Sequence, residues 1–171
     1  MRSDYAKVLE FTRGTQQSIT PLPTPMNDDE TFFLIRMLLS EVQELALTMT
    51  SVKSVEESLE VLQKAMKSID CSRWEHLDTD VKKCAAQVDS VVDMWYYSLN
   101  AFSKKCIDPS AVFDVVHQAN MDKRDPVSGK FLIRAEDSKI IKPPNWSPPN
   151  IEAEIERQIE STRREHDVNK N

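Results

Sequence analysis

Two pairs of carboxylates are spaced so that each pair shares one face of a predicted helix. Glu41 and Glu44 are three residues apart, and Asp89 and Asp93 are four residues apart. Like charges held this close beside apolar residues repel each other unless a cation lies between them. If the two helices are neighbours, four hard oxygen ligands converge, and such a set suits Mg²⁺ or Mn²⁺ better than zinc. Acidic pairs with this spacing also occur on solvated helix faces, so a purely structural interpretation stays open.

Basic and amide side chains in the C-terminal half could complement a carboxylate cluster. Asn120 and Lys123 are three residues apart near the end of a predicted helix. The segment that follows carries four more cations: Lys130, Arg134, Lys139 and Lys142. Cations opposite metal-binding carboxylates are what binding of a metal-bound polyphosphate requires. The alternatives are a lysine placed favourably at a helix C-terminus and an ordinary solvated loop.

Composition excludes several functional classes. The 171 residues include only two glycines, so neither the dinucleotide fingerprint nor the phosphate-binding P-loop can be formed. Acidic residues outnumber basic ones by 28 to 22, which argues against a broad nucleic-acid surface. Three cysteines without a C-x-x-C motif predict free thiols rather than a disulfide framework or a zinc site. No signal peptide or membrane-spanning run is evident, so we expect a cytoplasmic protein that does not bind membranes.

Hydrophobic periodicity and capping signals predict the helices that position these side chains. The predicted helices span residues 4–12, 28–50, 54–70, 78–105, 109–121 and 151–164. The second carries the glutamate pair and the fourth carries the aspartate pair. Apolar neighbours such as Val42, Leu45 and Trp95 predict that both helices lie in the core of a bundle.

Residues 124–150 are predicted to form an extended, proline-rich arm. Residues 131–133 and 139–141 could pair as a small hairpin, and four prolines follow within residues 143–149. Trp146 is the best candidate to pin the arm to the helices. We therefore expect an all-α, four-helix-bundle-like domain over residues 1–150 that includes the arm, followed by a C-terminal helix and frayed tail over residues 151–171.

Several stretches, in order, resemble the all-α nucleoside triphosphate pyrophosphohydrolases, the MazG-like and phosphoribosyl-ATP-pyrophosphohydrolase-like family. Its signature is E-x-x-E on one helix and E-x-x-D on a later one. The first motif is similar to EVQE at residues 41–44, preceded by Arg36 and two leucines, and the second to the region around DMWYY at 93–97. One branch has an N-M-x-K helix end and a K-P-x-x-W-x-P-P arm, similar to residues 120–123 and 142–149. The resemblance covers roughly residues 5–150.

The sequence departs from the family pattern at two residues and in the interval between Glu44 and Asp93, which is longer than the usual one. Ser90 stands where the second motif has an acid three residues before Asp93, and Asp89 is the substitute because residues four apart also share a helical face. A literal E-x-x-D occurs at Glu75 and Asp78, but it lies at a predicted helix break, so we favour Asp89 and Asp93. Ser40 occupies a position where this branch often has another glutamate, which would weaken one metal site.

The resemblance implies a Mg²⁺-dependent hydrolase, with Mn²⁺ as an alternative ion, that cleaves ribo- or deoxyribonucleoside triphosphates to the monophosphate and pyrophosphate. It further implies nucleotide-pool housecleaning and a homodimer or higher homo-oligomer. The implied metal ligands are Glu41, Glu44, Asp89 and Asp93, with Glu41 or Glu44 as catalytic base. The implied substrate contacts are Arg36, Lys123 and Lys142 to phosphate and Asn120 to sugar or base. The alternatives are phosphoribosyl-ATP hydrolysis, a catalytically silent nucleotide- or metal-binding module, and a helical interaction protein.

Overall fold

The computed structural model describes residues 3–70, 77–134 and 139–168, with side chains as far as residue 165 in the last range. These residues form six helices and no extended strand, so the all-α prediction is confirmed. The helices are α1 (Asp4–Gly14), α2 (Asp28–Leu47), α3 (Val55–Lys67), α4 (Asp80–Ser103), α5 (Pro109–Met121) and α6 (Ile151–Val168). No helix in the described part of the chain is both long and apolar enough to cross a membrane.

Local side chains explain where the helices begin. At α2, the Asn27 side chain accepts a hydrogen bond from the Glu30 backbone N–H, and the Glu30 carboxylate accepts one from the Asn27 N–H. The Ser54 hydroxyl accepts from the Glu57 N–H at the start of α3. Pro109 occupies the first turn of α5, where its missing N–H costs no hydrogen bond. These residues satisfy N–H groups that have no partner within the helix.

The chain divides into two compact units, one of Met1–Pro21 with Asp93–Asn171 and the other of Leu22–Val92. The boundary falls within α4. In the first unit, α1 and α6 both pack against α5. In the second unit, α2 packs against α3. The first unit contains Asp93, Asn120, Lys123 and Lys142, and the second contains Arg36, Glu41, Glu44 and Asp89.

Small side chains mediate the packing of α2 on α3. Ser58 is completely buried, and Ala46 and Val52 are buried as well. The Ser58 hydroxyl donates to the Val55 carbonyl at 2.6 Å and accepts from the Gln43 amide at 3.3 Å. The polar group is therefore satisfied inside the contact, which makes its burial tolerable.

The arm pairs with itself as predicted, although only through isolated antiparallel bridges. Ile133 bridges to Ile140, and the Ile141 N–H donates to the Leu132 carbonyl at 2.8 Å. A second bridge joins Arg124 to Phe131, at the foot of the arm. The connecting residues 135–138 lie outside the described ranges.

The structure leaves much of the apolar surface of α2 and α4 exposed, contrary to the prediction that both helices lie in the core of a bundle. Val42 is 47% exposed, Leu45 is 67% exposed and Trp95 is 59% exposed. No residue of α4 is buried. Hydrophobic periodicity shows which face of a helix is apolar, but it does not show whether the chain itself supplies a cover for that face.

Candidate functional site

The two acidic pairs lie within regular helices, as the sequence predicts. Glu41 and Glu44 are exposed near the C-terminal half of α2, and Asp89 and Asp93 are exposed in the middle of α4. Because both helices continue unbroken past these residues, the three- and four-residue spacings place each pair on one helical face.

The two serines that stand where the resemblance predicts acids hydrogen-bond to their own helices. The Ser40 hydroxyl donates to the Met37 carbonyl at 2.7 Å, and the Ser90 hydroxyl donates to the Ala86 carbonyl at 2.9 Å. Both hydroxyls thus follow the usual pattern of serine within a helix. In this conformation, neither serine offers a replacement for a carboxylate ligand.

Within the described ranges, no group of three or more His, Cys, Asp or Glu side chains is arranged to hold a metal ion. Each acidic pair therefore offers two carboxylates. Mg²⁺ usually keeps several waters and is bound by one or two carboxylates together with substrate phosphates. The chemistry of each pair fits a magnesium ion that arrives with a polyphosphate.

Gln87 joins the N-terminal half of α4 to the start of α2, which the sequence did not reveal. Its amide accepts from the Met26 N–H at 2.8 Å and donates to the Met26 carbonyl at 2.9 Å. It also donates to the Thr31 hydroxyl at 3.3 Å. A glutamine within a helix gives no signal of such a distant partner. These hydrogen bonds therefore connect the start of α2, the helix of the glutamate pair, to α4 two residues before Asp89.

The predicted phosphate contacts lie in different parts of the chain. Arg36 is exposed on α2 and lies 5.5 Å from the ring centre of Phe33. Asn120 and Lys123 lie at the end of α5, and the Lys123 ammonium donates to the Asn120 side-chain oxygen at 2.6 Å. The structure therefore brings together Asn120 and Lys123 as the sequence predicts.

Trp146 pins the arm to α5, which confirms its predicted role. Its indole N–H donates to the carbonyl of the buried Ala119 at 2.7 Å. The Lys142 ammonium lies 4.0 Å from the centre of the Trp146 ring, and the Lys123 ammonium lies 5.7 Å from it. We call Lys123, Trp146 and Lys142 the tryptophan clamp.

Burial and the neighbouring positive charge of Lys142 both lower the pKa of Lys123, with burial the larger cause. No described carboxylate forms an ion pair with Lys123 or Lys142. Two ammonium groups thus lie at one aromatic ring without a direct ion pair to a described carboxylate, while Asp122 and Asp125 line the neighbouring pockets. Such an arrangement attracts anions.

The rejected E-x-x-D motif is described only in part. Glu75 lies outside the described residues, as do Trp74 and Cys71 of the predicted helix break. Asp78 precedes α4 and pairs with Lys82 at 2.8 Å. The choice of Asp89 and Asp93 as the second acidic pair stays a prediction.

Comparison with known proteins supports the fold predicted from the sequence. No protein-family model matches the chain, and no curated protein matches it. The chain is similar to the crystal structure of a "putative NTP pyrophosphohydrolase" from Exiguobacterium sp. 255-15, with a TM-score of 0.80 and 25% sequence identity. The similarity covers 94% of this chain and 98% of the other. The predicted all-α NTP pyrophosphohydrolase fold is confirmed.

Proposed function

We propose, from the all-α NTP pyrophosphohydrolase fold of this chain, that it is a Mg²⁺-dependent hydrolase which cleaves nucleoside triphosphates to monophosphate and pyrophosphate. The observation that carries this proposal is the structural similarity over 94% of the chain to an NTP pyrophosphohydrolase-like protein. The acidic pairs on α2 and α4 and the cations of the tryptophan clamp provide chemistry that suits this substrate. The cellular role that follows is control of the nucleotide pool.

The proposed roles divide between metal binding and phosphate binding. The carboxylates of Glu41, Glu44, Asp89 and Asp93 would hold Mg²⁺. When bound, the ion would neutralise the triphosphate and lower the pKa of a coordinated water. Glu41 or Glu44 would accept the proton of the attacking water as the bond between the α- and β-phosphoryl groups breaks. Pyrophosphate would leave with the electron pair of that bond.

Cations and one amide would orient the nucleotide. Arg36, Lys123 and Lys142 would contact phosphate oxygens, and Asn120 would contact the sugar or base. In the structure the Asn120 oxygen already accepts from Lys123, which leaves its amide N–H groups available as donors. The protein thus contributes positioning and charge compensation rather than a covalent nucleophile.

A second copy of the chain would cover the apolar faces of α2 and α4. Exposed residues include Leu45 at 67%, Tyr96 at 69% and Tyr97 at 70%. Large exposed apolar faces mark protein interfaces. The single chain also forms no cluster of three or more metal-ligand side chains among its described residues. A homodimer or higher homo-oligomer accounts for both features.

The test of hydrolysis removes one carboxylate from each pair. Purified protein is incubated with each ribo- and deoxyribonucleoside triphosphate, with and without Mg²⁺, and pyrophosphate and orthophosphate are measured separately. We expect pyrophosphate from the wild type and a loss of at least about 100-fold in Glu44→Gln and in Asp93→Asn. The control is Glu60→Gln, which removes an exposed acid of α3 and should leave the rate unchanged.

Full activity in either site variant would contradict the assignment of that residue. Orthophosphate without pyrophosphate would contradict the proposed bond cleavage. The circular dichroism spectrum of each variant is compared with that of Glu60→Gln, because a loss of helical signal would indicate misfolding.

A catalytically silent nucleotide-binding module is the second candidate. The observation that favours it is that the Ser40 and Ser90 hydroxyls bond to their own helices rather than replacing acids. This candidate predicts no product from any nucleotide, together with thermal stabilisation by Mg²⁺ and nucleotide. A ligand at 100 times its Kd adds about 2.7 kcal/mol to the free energy of unfolding.

A further inference from the structure

Two hydrogen bonds hold the ring of Trp146 in one place. The indole N–H donates to the Ala119 carbonyl on α5, and the Trp146 backbone N–H donates to the Pro143 carbonyl at 2.9 Å. The first bond ties the ring to the end of α5, and the second closes a turn in the arm. Trp146 therefore connects the helix that carries Lys123 to the arm that carries Lys142.

The fixed ring places two ammonium groups at one site. Lys142 lies 4.0 Å from the ring centre and Lys123 lies 5.7 Å from it. The negative face of an aromatic ring attracts each cation, which offsets part of the repulsion between them. Asn120 restrains Lys123 further through the bond at 2.6 Å. The lysine side chains are thus positioned before any ligand arrives.

The charge of the tryptophan clamp suits a multiply charged anion. An aromatic ring carries no net charge, so two positive charges remain when both lysines are protonated. Burial, and to a lesser degree the charge of Lys142, lowers the pKa of Lys123, so a bound anion would stabilise its protonated form. An anion with several negative charges would bind both ammonium groups at once.

We propose that Trp146 is a positioning residue that joins Lys123 and Lys142 into one polyphosphate-binding site. The identity of the natural ligand, the phosphates of a nucleoside triphosphate, rests on the proposed function. The existence of the anion site rests on the clamp geometry alone. In this proposal, the proline-rich, extended arm places Lys142 next to the end of α5, where Lys123 lies.

Binding of inorganic pyrophosphate in the absence of metal tests the anion site directly. The affinity is measured by calorimetry for the wild type, Trp146→Leu, Lys142→Ala and the double variant. We expect each single variant to weaken binding roughly tenfold, because one removes the ring that positions the ammonium groups and the other removes a charge. The matched control is Lys104→Ala, which removes an exposed cation just after α4 and should bind pyrophosphate like the wild type.

The double variant separates positioning from a general structural role. If Trp146 acts through the two lysines, Trp146→Leu weakens binding less in the Lys142→Ala background than in the wild type. If Trp146 merely supports the fold, the two losses add, and that result would overturn the proposal. Trp146→Phe keeps an aromatic ring but lacks the indole N–H, so we expect intermediate affinity. If Trp146→Leu fails to fold, Trp146→Phe and Lys142→Ala provide the test instead. Pyrophosphate affinity equal to that of the wild type in both variants would overturn the proposal.

Nucleotide kinetics distinguish a failure of this proposal from a failure of the proposed function. If the wild type hydrolyses nucleotides, Trp146→Leu should raise KM about tenfold and leave kcat within about threefold. Hydrolysis with an unchanged KM would overturn the clamp and leave the function standing. Clamp-dependent pyrophosphate binding without turnover of any nucleotide would support the clamp and contradict the hydrolase. Absence of pyrophosphate binding in the wild type would overturn the clamp.

Discussion

At the scale of single residues, the two glycines serve different physical purposes. A Cβ added at Gly14 would lie 2.7 Å from Cε2 of Phe131, a distance that real contacts do not reach. Phe131 is only 8% exposed and packs edge-on against Phe11 at a ring distance of 5.3 Å. Gly129 has open space around it, but its φ of +67° lies in the left-handed region. The rarity of glycine is visible in the sequence, whereas these reasons are not.

We expect Gly14→Ala to lower the free energy of unfolding by roughly 1–3 kcal/mol, because the Phe131 ring must move within a packed contact. Gly129→Ala should cost about 1–2 kcal/mol through its backbone conformation. Urea unfolding of both variants measures these values.

Asparagine substitutions discriminate between the two causes. Asparagine tolerates the left-handed region, so Gly129→Asn should recover part of the stability lost in Gly129→Ala. Gly14→Asn should be no better than Gly14→Ala, since its larger side chain meets the same ring. Equal recovery at both positions would contradict the steric explanation for Gly14.

At the scale of elements, a glutamine docks α6 at the start of α5, next to an ion pair within α6. The backbone N–H of Asp108, just before α5, donates to the Gln158 side-chain oxygen at 2.8 Å, and the Gln158 amide donates to the Asp108 carbonyl at 3.1 Å. Glu154 accepts two hydrogen bonds from Arg157, at 2.6 and 2.8 Å, and one from Gln158 at 2.9 Å. The charged pattern of residues 151–164 predicts a helix, but it does not predict this contact.

The hydrogen bonds of Glu154 within α6 predict an acid-sensitive contribution to stability. The hydrogen bonds from Arg157, followed by that from Gln158, lower the pKa of Glu154 from 4.5 to about 2. Because the folded pKa is depressed, the stabilisation is fully present above about pH 4.5 and is lost as the pH falls towards 2. Glu154→Gln should therefore unfold at a lower temperature than the wild type at pH 7.

The difference in Tm between the wild type and Glu154→Gln should close as the pH approaches 2. Thermal unfolding followed by circular dichroism from pH 7 to pH 2 measures it. The control is Glu152→Gln, an exposed acid in the first turn of α6. A Tm difference for Glu154→Gln that does not change with pH would contradict the assignment.

At the scale of the whole molecule, apolar surface is the feature that most needs an explanation. On α2, Phe32 is 68% exposed and Leu45 is 67% exposed, while on α4 Val81 is 79% exposed. Exposure of this kind on long regular helices is typical of faces that pair with another protein. The proposed partner is a second copy of the chain.

We expect charged substitutions on these faces to dissociate the assembly. Leu45→Glu on α2 and Val88→Glu on α4 would place a charge inside the proposed apolar interface, where it loses its hydration. Analytical ultracentrifugation should show a dimer or larger assembly for the wild type and smaller species for both variants. Val127→Glu is the control, because Val127 is 93% exposed in a turn near the start of the arm. A monomeric wild type would contradict the proposal.

Much of the local structure could be predicted because its causes lie within a few residues of each other. The Asn27 and Glu30 capping pair begins α2, Pro109 begins α5, and apolar periodicity identifies the helices between them. The spacing of Glu41 and Glu44 likewise requires only a regular helix to place both on one face. The prolines around Trp146 likewise predict that this segment is not helical, because their effect on the backbone is local.

The sequence by itself therefore determined the helical class, the helix positions and the acidic pairs, because hydrogen bonds and side-chain spacing within a helix are local. Only the tertiary structure decided that Gln87 reaches Met26, that Gln158 reaches Asp108, and that the Trp146 ring meets two lysines. It also decided that α2 and α4 leave apolar faces uncovered within one chain. Such contacts depend on which distant surfaces meet, and an apolar or polar pattern is compatible with many partners.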